Sequence, residues 1–424
     1  MNRRQFSRSL SAAGLSAALG KAQRRKTILL RTAWQRRNIG DVCFTPSMLS
    51  AIAEYLPGTR VVCWMASNHE DVNAMVRRAH PEAELLHASF GAEGQPGAEG
   101  KVMDPQLDKA FREADFLLFN SGPIMSYGLH DVYNWNSSIN NLIYATYAKQ
   151  IGLPYGMYGQ SYDRFAWPSP VLFKRALEEA AFVYGRDTNS LDYLQSLGIN
   201  PPHLKMAPDI AFHFKLRNDA PVDAFLREKK LERGKFLVAI VHYATLDRPG
   251  VRDYGVAHLT KMRAVIERWM RETNLPVVVV AEDEREVTLG KQWLIDAMPQ
   301  DLQYKMVLRE GPFWLPDEAL SLYLAAHSLF TAEPHSLIFA MANGIPGIHV
   351  FDPAFGRKAQ MFPDLGMREW AFNLRETQAS TIGDLLMMIH VDRPMAVRRT
   401  ELLMGRVKTR TKIAFEKLAS SMKA

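Results

Sequence analysis

The sequence predicts an α/β protein of two Rossmann-like domains whose parallel sheets face a central cleft. Three observations carry that expectation. From residue 27 onward, short and almost wholly apolar runs alternate with longer amphipathic segments, and strands apolar on both sides belong to parallel sheets covered by helices on both faces. A charged stretch, KLRNDAPVDAFLREKKLERGK (215–235), breaks the rhythm, after which the pattern restarts. The 424 residues also exceed the roughly 250–300 at which one core stops growing.

Seven strands are expected in the first series: 27–33, 60–66, 84–90, 115–122, 154–161, 182–187 and 204–209. Five follow in the second: 236–243, 276–283, 304–310, 328–333 and 346–351. Helices fit between them; HLTKMRAVIERWMRETN (258–274) repeats its apolar residues at helical spacing. The expected organisation is a leading segment over 1–26, domains over 27–225 and 226–385, and a C-terminal helical segment over 386–424.

Charge narrows the function classes. The net +7 is concentrated in residues 1–26, where Arg3, Arg4, Arg8, Lys21, Arg24, Arg25 and Lys26 meet no acid. Without them the chain holds 45 basic and 45 acidic residues. A neutral body removes the main support for nucleic-acid binding, and the basic run GRVKTRTKIAFEKLASSMK near the end reads as a solvated helix face. Cys43 and Cys63 have neither CxxC nor Cys/His metal spacing and read as buried free thiols.

NRRQFSRSLSAAGLSAALGKAQ resembles a twin-arginine export signal, with Arg3, Arg4 and Phe6 in the motif positions. The competing reading is a disordered basic tail. The first predicts export to the periplasm and the second a cytoplasmic protein. No later stretch has eighteen uninterrupted apolar residues, so no transmembrane helix is expected.

In parallel sheets ligands bind beyond the C-terminal strand ends, so those residues are the candidates. After the first strand, Asn38, Gly40 and Asp41 form a turn that either offers backbone amides to a phosphate or sugar hydroxyl or is simply closed by Asp41. Ser121 and Gly122 end the fourth strand. Gln160 and Ser161 follow the fifth, in a YGQSYD that lacks the small residues of a nucleophile elbow and reads as a substrate-binding loop. Arg186 and Asp187 end the sixth, as ligand groups or as a structural ion pair. Glu282, Asp283 and Glu284 follow a strand of the second series, as a solvated acidic loop or as metal ligands.

FTAEPHSLIFAMANGIPGIHV (330–350) reads as a strand, a short buried helix capped by Gly344, and the next strand. His335 then sits at a helix N-terminus on the cleft edge, where the dipole disfavours an imidazolium. A neutral ring there can donate to a ligand oxygen, act as a general base, or merely cap the helix.

Taken in order, NIGD, FNSG, YGQS, GRDTNSLDYLQSLGI, APDIAF, PHSLIFAMANGIPGIHV and RKAQMFPDLGM resemble the polysaccharide pyruvyl transferase family, from about residue 38 to about residue 370. The resemblance implies a fold like the two-domain GT-B glycosyltransferases. It also implies transfer of a pyruvyl group from phosphoenolpyruvate to a sugar of a polysaccharide, giving a ketal, without a cofactor or metal. The family's histidine corresponds to His335, its later lysine to Lys358, and its Asn-Gly-Asp turn to Asn38, Gly40 and Asp41. The implied partners are phosphoenolpyruvate or another anionic donor and a glycan acceptor.

Two departures stand out. Glu333 occupies the place of an arginine that holds the anionic donor, and His242-Tyr243 that of a second. Arg248, Arg252 and Lys358 are the candidates to compensate. The alternatives are a nucleotide-sugar glycosyltransferase on the same architecture and a degenerate glycan-binding member. Phosphoenolpyruvate is cytoplasmic, so the resemblance and the export reading pull in opposite directions.

Overall fold

A computed structural model describes residues 24–32, 36–65, 68–88, 104–120, 122, 124–128, 135–248 and 250–423. The twin-arginine motif and Ser121 lie outside the described residues.

The first sheet contains β1 (Thr27–Thr32), β2 (Arg60–Trp64), β3 (Glu84–Leu86), β4 (Phe116–Asn120), β5 (Tyr155–Gln160), β6 (Val183–Gly185) and β7 (Leu204–Met206), in the order β3-β2-β1-β4-β5-β6-β7. The second contains β8 (Leu237–Ile240), β9 (Val277–Val279), β10 (Met306–Leu308), β11 (Ser328–Thr331), β12 (Gly347–Phe351) and β13 (Ala371–Asn373), in the order β10-β9-β8-β11-β12-β13. Every pairing is parallel. The central strands β4, β5, β8 and β11 are buried at every residue, as helices on both faces require.

Strand order reverses between β1 and β4 in the first sheet and between β8 and β11 in the second. Such switch points leave a crevice beyond the carboxyl ends of the strands. The chain places Asn38 after β1, Gly122 after β4, His242 after β8 and Glu333 after β11.

All twelve anticipated strands form, each shorter than the run expected for it. β13 was not anticipated; it follows four short helical segments between Pro353 and Trp370 rather than an apolar run. The helix expected over 258–274 begins earlier, at Arg252, and ends at Asn274 in the left-handed region. The charged interruption itself folds as a helix, Asp219–Glu228.

The chain closes with a 29-residue helix, Arg393–Ser421. Ala396, Thr400, Leu403, Val407, Thr411, Ala414, Phe415 and Leu418 form its buried stripe, while Arg406, Lys408, Arg410 and Lys412 face solvent. Phe415 meets Tyr55 and Tyr158 of the first sheet's layers, and Lys423 N–H donates to Asp115 O, so the chain end ties back onto the first sheet. Among the described residues no helix is long and apolar enough to cross a membrane. Both cysteines are buried and free.

Candidate active site

The two switch points meet in a cavity of about 190 Å³. Its wall draws on both sheets: Asn38, Asp41, Gly122, Ser161, Asp163 and Arg186 from the first, and His242, Arg248, Glu282, Glu333, His335 and Lys358 from the second, among others. Gly40, Gln160 and Asp187 are buried beside it rather than on it. The sequence-derived candidates therefore converge, with those three displaced from the wall and Ser121 outside the described residues.

The cleft is stitched shut on one side by backbone. Asn38 bridges to Asp283, Ile39 N–H donates to Glu282 O at 2.9 Å, and Glu284 N–H donates to Arg37 O at 2.9 Å. Asn38 Oδ1 accepts from the amides of Gly40 and Asp41, so those amides are already engaged by this Asx turn. Gly40 has a steric role instead, since a Cβ there would lie 2.3 Å from His335 Nδ1.

His335 opens the helix Pro334–Ala342, which follows β11. Its Nδ1–H donates to Glu282 Oε1 at 2.8 Å, and its Nε2 lies 3.7 Å from Asp209 Oδ2. Glu282 Oε2 also accepts from Ser336 N at 2.7 Å and Ser336 Oγ at 2.8 Å. Burial by itself pulls the imidazole down, but Glu282 and Asp209 outweigh it and push its pKa up to about 9. The ring is an imidazolium at neutral pH. The expectation of a neutral ring fails because a carboxylate from the loop after β9, two strands away in the sheet, sits on the same helix end and outweighs the dipole.

Glu282 thereby corrects a second expectation. The AEDERE loop is not a solvated acidic loop: Glu282, Asp283 and Glu286 are fully buried. Both Asp283 oxygens accept from Arg285, at 2.7 Å each. Among the described residues no cluster has a metal-binding arrangement.

Arg186 does not pair with Asp187. Its Nη1 donates to Asp209 Oδ2 at 2.6 Å and its Nε to Ser161 Oγ at 2.8 Å. Ser161 in turn donates to Asp187 Oδ2, while Asp187 Oδ1 accepts from Ser190 N–H and so caps the next helix. A serine donating to a carboxylate and accepting from a guanidinium is a connector, not an exposed nucleophile. Burial opposes both charges, yet Arg186 and His335 hold the Asp209 carboxyl below its ordinary range.

Glu333 is 1% exposed and has neighbours of both signs. Its Oε2 lies 3.5 Å from Lys358 Nζ and its Oε1 3.3 Å from His242 Nε2. His242 Nδ1 accepts from Ala244 N–H, and the ring stacks on Phe355 at 3.8 Å between centroids. Burial raises the Glu333 carboxyl to about 7 against the pull of Lys358. Glu286 is raised too, by burial first and then by the neighbouring Glu333.

Arg248 stands apart. Arg186, Arg285, Lys358 and His335 each have a carboxylate partner. Arg248 donates through Nη2 to Tyr243 Oη at 3.2 Å and rests over the Phe355 ring, but its buried Nη1 has no hydrogen-bond partner among the described residues. An unpaired guanidinium on a cavity wall is fitted to an anion. A second cavity, of about 490 Å³, adjoins the first and shares Tyr243, Arg248 and Arg285 with it.

Sequence reasoning placed Glu282 and Asp283 after a strand but did not see Glu282 as the partner of His335; it missed Asp209 as the partner of Arg186 and gave Asp163 and Arg285 no place on the wall. For Asp209 the signal was present, since it too follows a strand.

Among solved structures, the Anabaena protein Alr3699/HepE, solved in complex with UDP, matches over 94% of this chain and 100% of its own, with a TM-score of 0.57 at 10% identity. The UDP-GlcNAc 2-epimerase of Methanocaldococcus jannaschii matches over 86% and 92%, with a TM-score of 0.55 at 12% identity. That of Neisseria meningitidis, bound to UDP-GlcNAc, matches over 93% and 100%, with a TM-score of 0.53 at 10% identity. At such identities the likeness is one of fold, the two-domain GT-B type. No curated protein matches the sequence. The model of the polysaccharide pyruvyl transferase family matches residues 38–352, a span that holds both switch points, Arg248 and His335; the chain belongs to the polysaccharide pyruvyl transferase family.

Proposed function

We propose that the protein is a transferase that moves a pyruvyl group from phosphoenolpyruvate to a sugar of a polysaccharide. Family membership supports the reaction class. The observation that carries the donor is Arg248, the cavity-lining guanidinium with an unpaired, buried Nη1. In this reading Arg248 and Lys358 hold the donor's carboxylate and phosphate, taking over from the arginines that Glu333 and His242 replace. His335, held as an imidazolium, contributes positive charge where phosphate departs. Asn38, Asp41, Ser161 and Arg186 form the opposite wall, where the acceptor sugar enters.

Glu333 is compatible with an anionic donor because burial raises its carboxyl to about 7 and Lys358 and His242 stand against it. Two anions in this buried setting would repel, and the bound donor pushes Glu333 further toward its protonated form. Calorimetric titration with phosphoenolpyruvate tests the donor. Binding that is weakened in Arg248→Met supports it, and the absence of binding to the wild type removes it.

A second reading is transfer from a nucleotide sugar. The adjoining cavity favours it, with Leu246 and Leu289 offering apolar walls and Asp247 and Gln292 polar groups, and HepE and the Neisseria epimerase were solved with UDP or UDP-GlcNAc. Thermal-shift screening of nucleotide sugars separates the two readings.

A further inference from the structure

The helix that closes the chain, Arg393–Ser421, carries eight basic side chains against two acidic ones, Glu401 and Glu416. Residues 27–424 are neutral as a whole, so the charge of the folded body is polarised toward this helix. Its outer side is not uniformly polar. Leu402 is 65% exposed and Ile413 52% exposed. Eleven residues make close to three turns, so the two side chains point the same way, about 16 Å apart.

Basic residues border this apolar ridge at helical spacing. Arg398 and Arg406 stand four residues before and after Leu402, and Arg410 three before Ile413. Arg399 pairs with Glu369, Arg406 Nη1 donates to Leu365 O at 2.8 Å, and Arg410 Nη1 donates to Met206 Sδ. Neither Arg398 nor Arg410 has a carboxylate partner among the described residues. Beside Leu402 the surface opens into a cavity of about 440 Å³, whose wall includes Arg398, Arg399, Arg406 and Met395. Three guanidinium groups around one hollow fit phosphate oxygens.

We propose that this face docks the protein on an anionic phospholipid surface, with Leu402 and Ile413 at the acyl boundary and the arginines on lipid phosphates. An exposed apolar ridge bordered by basic side chains is the pattern of a helix that lies in a membrane interface. A nucleic acid or an acidic glycan would match the arginines but leave Leu402 and Ile413 in water. The contact is peripheral, since among the described residues no helix is long and apolar enough to cross a membrane. The same run reads as a solvated face in the sequence because charge alone does not tell which way its two apolar side chains point.

The test is co-sedimentation of the full chain with vesicles of phosphatidylcholine and of phosphatidylcholine mixed with phosphatidylglycerol. Binding to the mixed vesicles that falls with salt, and little to phosphatidylcholine alone, is expected. Residues 1–26 are basic as well, so the helix variants decide the matter. Arg398→Gln with Arg410→Gln lowers partitioning by roughly 30-fold, and Leu402→Ser with Ile413→Ser by about tenfold or more, thermal unfolding being unchanged in both. No binding by the wild type, or undiminished binding by both variants, overturns the proposal. Loss confined to the arginine pair, together with its loss of retention on heparin, makes the face a site for a hydrophilic polyanion and overturns the lipid assignment. Loss confined to the apolar pair removes the anionic lipid and overturns it too.

Discussion

Gly40 has no side chain because the ring of His335 occupies the space: a Cβ at Gly40 would lie 2.3 Å from Nδ1 and 2.6 Å from Cγ. A residue after the first strand of one sheet thus sets the position of a side chain after the fourth strand of the other. Gly40→Ala forces the turn and the ring apart and costs about 1–3 kcal/mol, the usual range for overpacking. In a His335→Ala background the same change costs little. A double-mutant cycle by chemical denaturation measures the coupling, and additive effects contradict the contact.

The imidazolium has a pH signature. Its folded pKa, about 9, is above the unfolded value of about 6.5, so its stabilisation is complete below that unfolded value and is lost as pH rises through 9. The amount at stake is on the order of 3 kcal/mol. Denaturation midpoints that fall from neutral toward alkaline pH in the wild type, and fall less in His335→Gln, match this account.

Glu282→Gln removes the carboxylate that bears on His335 Nδ1–H and on both donors of Ser336. Breaking such a buried pair costs about 3–5 kcal/mol. The His335 pKa falls as well, because burial then acts with less opposition. An NMR titration of the ring reads this directly, and an unmoved pKa rules out the pairing.

Arg248→Met predicts the opposite balance. Arg248 has no carboxylate partner to orphan, so stability changes little. Loss of one or two hydrogen bonds to an anion, each worth roughly 1.5–3 kcal/mol, weakens donor binding by at least about tenfold. Equal binding by both proteins moves the anion site elsewhere.

The sheets were legible in the sequence because strands buried on both faces must be largely apolar, and β4, β5, β8 and β11 carry polar residues only at their ends, if at all. β13 was not, being three half-buried residues at a sheet edge. The strand-end rule found Asn38, Arg186, Glu333 and His335, since position after a strand is a local property. Pairing is not local. Arg186 reaches past its chain neighbour Asp187 to Asp209, and His335 finds Glu282 across the sheet. The charge state of His335 followed that distant partner, so the helix end alone misjudged it. Gly40 read as part of a turn, and only the opposing ring reveals its steric reason.

The central claim, pyruvyl transfer, is tested most directly by incubating the protein with phosphoenolpyruvate and a panel of polysaccharides and following phosphate together with the methyl signal of a pyruvyl ketal by NMR. The account predicts stoichiometric release of phosphate and appearance of the ketal methyl with at least one glycan. Turnover of a nucleotide sugar with phosphoenolpyruvate left intact contradicts it.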